Sequence, residues 1–113
     1  MEEKYIKNVN LATVLPLAEL VSYQQGQIVS KTLAQNKSLS LTLFAFDKGE
    51  EISSHESSGD AMVMALDGTG QVTIDGVNYI LHAGETIVMP AHKPHVVFAA
   101  EQFKMFLVVV FPQ

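Results

Sequence analysis

The chain has 113 residues, 48% hydrophobic and 17% charged: enough apolar material for one packed domain, and too short for a second. Twelve acidic residues face seven lysines and no arginine, for a formal net charge of −5. That excludes the basic face a nucleic-acid binder needs. Cysteine is absent, which removes thiol nucleophiles, thiolate-bound zinc, iron–sulfur clusters and disulfides.

Met1–Asn8 carries acidic residues and no apolar core segment, so it does not read as a secretory signal. Pro16–Val21 opens on a proline, carries a Leu17/Leu20/Val21 stripe and precedes Gly26. It reads as a short helix or as an irregular edge strand. Ile28–Ala34 and Leu39–Phe46 flank the polar turn Gln35–Ser38, a hairpin signal. The segment around His55, with Ser53-Ser54 and Ser57-Ser58-Gly59, reads as a polar loop. Ala61–Leu66 is a strand ending at Asp67-Gly68. Gln71–Ile74 and Val77–Leu81 flank Asp75-Gly76, whose glycine tolerates positive φ. Thr86–Met89 is closed by Pro90, and Val96–Ala99 and Lys104–Phe111 finish the chain. About eight short strands at close spacing predict a sandwich or small barrel.

The last strand is apolar on both faces. Phe103, Met105, Leu107 and Val109 share one face; Phe106, Val108 and Val110 share the other with Lys104. One face fits a barrel interior. The other needs a cover, either a partner subunit in a homodimer or the N-terminal segment folded back over it. The apolar run Phe103–Phe111 is too short to cross a bilayer. The expected location is the cytoplasm, with no membrane and no nucleic acid among the partners.

Four histidines, His55, His82, His92 and His95, are the candidate chemistry. His92 and His95 lie in a loop pinned by Pro90 and Pro94. Imidazole ligates zinc, iron, copper and nickel and titrates near neutral pH. A single histidine is more often a surface or hydrogen-bonded structural residue. No Gly-x-Ser-x-Gly elbow is present, and Gly68-Thr69-Gly70 is too short to cradle a phosphate.

The spacings add specificity. Gly49 is followed after five residues by His55, and later by Gly68. Gly84 is followed after five residues by Pro90, and then by Lys93-Pro94-His95. The Asp75-Gly76 hairpin lies between them. On these residues, from Gly49 to about Ala99, the chain resembles the cupin superfamily, specifically its small single-domain members. The resemblance implies an all-β double-stranded β-helix, a jelly-roll barrel. It would occupy residues 1–113 as one domain with a short N-terminal extension, motif one at about 49–68 and motif two at about 84–99.

It also implies a metal site, and there the match is incomplete. Gly49, His55 and Gly68 fit the first motif; Gly84, Pro90 and His95 fit the second. Ser57 stands where the family has its second His. Ala61, or Met62 with a longer spacer, stands where it has Glu. His92 replaces an inner Gly and Ala99 an Asn. Of four usual ligands the chain keeps His55 and His95. Catalytic zinc usually takes three protein ligands, and non-haem iron two His and a carboxylate. Asp60, turned inward by a bulge, or His92 would have to complete the set for iron, manganese, nickel or zinc; strict alternation puts Asp60 opposite Ala61. His82 reads as a strand-end surface residue.

The expected pocket is formed by His55, Ser57, Ala61, His95 and Met105, with small residues and methionine giving an adaptable apolar wall. Glu50, Glu51 and Glu56 read as an acidic rim that disfavours anionic ligands. The expected function is binding of a small organic molecule in the barrel, with or without a divalent metal on His55 and His95. The alternative is a metal-dependent enzyme of oxygenase, isomerase or lyase type with a non-standard third ligand. A third reading is a dimerisation module using the Phe106/Val108/Val110 face.

Overall fold

The computed structural model describes residues 4–113, except the side chains of Ser54 and His55. Seven strands form the fold: β1 (Ile28–Gln35), β2 (Leu39–Phe46), β3 (Glu51–His55), β4 (Asp60–Ile74), β5 (Val77–His82), β6 (Thr86–Met89) and β7 (His95–Val110). All pairings are antiparallel. Local chemistry explains the tight turns. The Asn36 carboxamide accepts the N–H groups of Ser38 and Leu39, at 2.7 and 3.0 Å, and closes the β1–β2 hairpin. Asp75 (φ 48°) and Gly76 (φ 82°) both lie in the left-handed region, as a two-residue type I′ hairpin requires.

Two of the expected boundaries are absent. Ala61–Leu66 and Gln71–Ile74 are parts of one strand, β4. Val96–Ala99 and Lys104–Phe111 likewise merge into β7. The turn residues Asp67-Gly68 serve a bulge instead: the β4–β7 register shifts between Ala65 and Asp67 and again between Gly68 and Gly70. Gly68 has φ +75°, and a Cβ there would stand 1.6 Å from the Gln102 carbonyl oxygen. Of the segment expected as a loop around His55, Ser53-Ser54 and His55 belong to strand β3, paired with the start of β7, while Ser57-Ser58-Gly59 lie outside the strands.

The long β4–β7 ribbon gives the barrel its two halves. Its one end, Asp60–Gly68 with Phe103–Val110, carries β2 and β1 on one side and β6 on the other. Its other end, Gly70–Ile74 with His95–Ala99, carries β3 and β5. Ala61, Val63, Ala65, Met89 and Met105 from the first half pack in one core with Val72, Leu81, Val97 and Ala99 from the second. This is the all-β jelly-roll barrel that the motifs imply. The strand alternation holds: Ala61, Val63 and Ala65 are buried while Met62 faces outward.

The outer face of β1, β2 and β7 is covered in part by the N-terminal segment. Residues Leu17–Leu20 form one turn of 3-10 helix, started at Pro16. Leu20, Val21 and Tyr23 pack against Leu43, Ala45 and Phe106. Lys104 stays polar within this layer: its ammonium donates to the Ala18 carbonyl at 2.7 Å and lies 5.0 Å from the centre of the Tyr23 ring. Tyr23 in turn donates its hydroxyl to Asp67. Burial, reinforced by that hydrogen bond, pushes the Tyr23 hydroxyl far above its ordinary pKa. The segment therefore covers the Lys104–Phe106 half of the face. Val110, Val88 and Met62 beyond it stay 59%, 45% and 39% exposed in a single chain. Among the described residues no helix is long and apolar enough to cross a membrane.

Candidate functional site

The barrel encloses a cavity of about 490 Å³. Its wall is apolar and comes from both halves: Ala61 and Met89, Met105, Leu107 and Val109, with Ile52 and Val97. Strand parity puts Met105, Leu107 and Val109 there, the face expected to line the interior. Phe44 and Phe111 add aromatic rings. Polar groups are few. Gln35, Ser40, Glu56, Ser57 and Ser58 line the cavity nearer solvent. His95, only 3% exposed, is the buried polar residue of the lining.

His95 is held by its own loop. Its Nδ1 lies 3.2 Å from the Lys93 carbonyl oxygen. A carbonyl only accepts, so Nδ1 is the donor of this hydrogen bond. Pro90 and Pro94 stiffen the loop backbone. Pro94 accepts the Asp75 N–H at 2.9 Å. Two further bonds join the two motif regions: Ala91 N–H donates to the Asp60 carboxylate and His92 N–H to the Ser57 carbonyl, each at 2.8 Å. The mouth is thus tied across by backbone as well as side-chain contacts.

Of the expected pocket residues, Ser57, Ala61, His95 and Met105 line this cavity together. The side chain of His55 lies outside the described residues; its backbone stands in register with His95 across β3 and β7. The supplementary ligands do not join His95. Asp60 is exposed, on the face opposite Ala61, and its carboxylate is engaged by Ala91. It and His92 line a separate, shallower depression with Gly59, Ala91 and Val110. His82 sits at a strand end, where Glu85 accepts its backbone N–H at 2.8 Å and approaches its Nδ1 at 3.2 Å. That backbone hydrogen bond, then the side-chain one, holds the Glu85 carboxyl below its ordinary pKa.

The described residues do not by themselves make up the usual ligand set for a divalent metal. Ser57 and Ala61 occupy the positions of the absent His and Glu, and the Ala61 methyl cannot coordinate. Among the described residues no three His, Asp or Glu side chains come together. His95 is the one imidazole among the described lining residues, and an ordinary catalytic site takes three protein ligands.

Phe44, Phe111 and Glu56 were not among the expected pocket residues. Phe44 was legible from parity, since it shares its β2 face with Thr42 and Phe46. Phe111 and Glu56 lie outside strands, where alternation gives no direction.

Known proteins place this barrel. The cupin domain family model matches residues 42–111. A conserved protein of unknown function from Streptococcus pyogenes is 48% identical, with a TM-score of 0.96 over 98% of this chain and 97% of its own. A cupin superfamily protein from Desulfitobacterium hafniense is 32% identical, with a TM-score of 0.90 over 95% of this chain and 98% of its own. A variant of salicylate 1,2-dioxygenase from Pseudoaminobacter salicylatoxidans, 19% identical with a TM-score of 0.68 over 74% of this chain and 26% of its own, shares the fold alone. No curated protein matches the chain. With the barrel, both motif frames and the family model in agreement, the chain belongs to the cupin family.

Proposed function

We propose that this cupin binds a small organic molecule inside its barrel, as a cytoplasmic homodimer. The observation that carries the reading is the cavity of about 490 Å³ with an apolar wall and His95 buried in it. Ligand sites usually take this form: a largely preformed, mostly apolar concavity with a few polar groups that set orientation. His95 supplies a buried polar group within the apolar wall, and Ser57 and Glu56 supply polar contacts nearer the mouth. The dimer reading is supported by Met62, Val88 and Val110, exposed on adjacent outer strands.

Elemental analysis of untagged protein, beside His55→Ala and His95→Ala, separates this from a metal-dependent enzyme. Metal below about a tenth per chain and unchanged by either substitution is expected. A melting-temperature screen of small organic molecules should then find a stabiliser, since a ligand at 100 times its Kd adds about 2.7 kcal/mol. Near one metal per chain, lost in both variants, would overturn the reading in favour of a recruited third ligand.

A further inference from the structure

We infer that the ligand is a cation: an organic amine with an aryl or alkyl body, its ammonium group paired with Glu56. This deepens the barrel-ligand reading and rests on it. Among the described lining residues, Glu56 is the one that carries a formal charge. None of the seven lysines lines the cavity, and the chain has no arginine. A carboxylate or phosphate entering the barrel would lose water without meeting a cation, and would approach a like charge at the mouth. An ammonium group gains a charge-assisted hydrogen bond to the Glu56 carboxylate instead.

The rest of the lining agrees. Phe44 and Phe111 present aromatic rings to the same space, and ring faces attract cations. The buried Met89, Val97 and Met105 receive the apolar body, with methionine adapting to its shape. The net charge of −5 favours the approach of cations over anions.

The test uses three probes of nearly one shape: 2-phenylethylamine, 2-phenylethanol and 3-phenylpropionate. Each is titrated to about 10 mM, the range of weak fragments, into protein with 13C-labelled methionine methyls. Met89 and Met105 report the cavity, and the outward-facing Met62 reports the surface. The amine should move the Met89 and Met105 signals and leave Met62 in place. The alcohol should bind more weakly and the carboxylate not at all. Glu56→Gln should weaken the amine by about fivefold or more, leaving the alcohol unchanged. If the alcohol or carboxylate binds as well as the amine, or Glu56→Gln has no effect on the amine, the cation class falls and the barrel reading survives. If no probe moves Met89 or Met105, or if Met62 alone responds, both readings fall.

Discussion

Gly68 and Gly76 both have positive φ, +75° and +82°, yet their surroundings differ completely. A Cβ at Gly76 meets nothing within 4 Å. At Gly68 it would stand 1.6 Å from the Gln102 carbonyl oxygen and 2.7 Å from its carbon. Gly76→Ala therefore tests conformation alone. The left-handed region costs an L-residue about 1–2 kcal/mol, partly offset by about 0.4–1 kcal/mol from a less flexible unfolded chain. The expected loss is about 1 kcal/mol. Gly68→Ala adds a clash with backbone that cannot rotate away, so β4 and β7 must part at the bulge. Overpacking of that kind costs a further 1–3 kcal/mol or so. The variant should thus be about 1–3 kcal/mol less stable than Gly76→Ala, a sizeable share of a domain's usual 5–15 kcal/mol. Urea unfolding of the three proteins measures this directly, provided the slopes agree. In thermal melts the gap between the variants should be about 4–12 °C. Equal losses, within about 0.5 kcal/mol, would refute the close approach at the bulge and the bend of the ribbon built on it.

Three other outcomes are expected. His92 has φ 66° and an exposed side chain, so His92→Gly should stabilise the protein by about 0.5–1 kcal/mol in urea unfolding; a loss would mean the imidazole makes a stabilising contact. Tyr23→Phe should cost stability at neutral pH, and its gap to the wild type should be constant below pH about 10 and shrink above it. The sign follows from the raised pKa of Tyr23: its contribution is complete below the unfolded value and is lost as pH rises towards the folded one. A gap that does not change with pH would remove the Asp67 hydrogen bond as its cause. Met62→Glu should turn a dimer into a monomer in sedimentation velocity at micromolar concentration, since the charge would lie in the proposed contact; an unchanged dimer would put the contact elsewhere, and a wild-type monomer would dispose of it.

The site was legible where alternation or a motif gave direction. Ala61 was marked by standing where the first motif has its Glu, and Met105 by alternating with Lys104 along the last strand. His95 was marked by its spacing from Gly84 and Pro90. Asp60 was offered as an inward ligand only through a bulge. The register shifts of β4 lie instead beyond Ala65, so Asp60 keeps its outward place and caps Ala91. Glu56 was read as rim, and it does stand exposed, but its position in the cavity lining depends on how the β3–β4 loop folds over the mouth.

The amino-acid sequence by itself determined the strand-rich class, the Asp75-Gly76 and Gln35–Ser38 hairpins, and the frame of two motifs, because these depend on residues near one another in the chain. Only the tertiary structure decided that Asp67-Gly68 is a bulge rather than a turn. The same local glycine chemistry serves either, and the choice is made by β7 passing 1.6 Å from where a Cβ of Gly68 would be. It also decided what covers Lys104. The last strand's second apolar face called for a cover, a partner subunit or the N-terminal segment, without choosing between them; around Lys104 it is the segment more than eighty residues earlier, where Ala18 accepts the Lys104 ammonium. A contact across that distance leaves no period in the sequence, because it is set by the path of the whole chain.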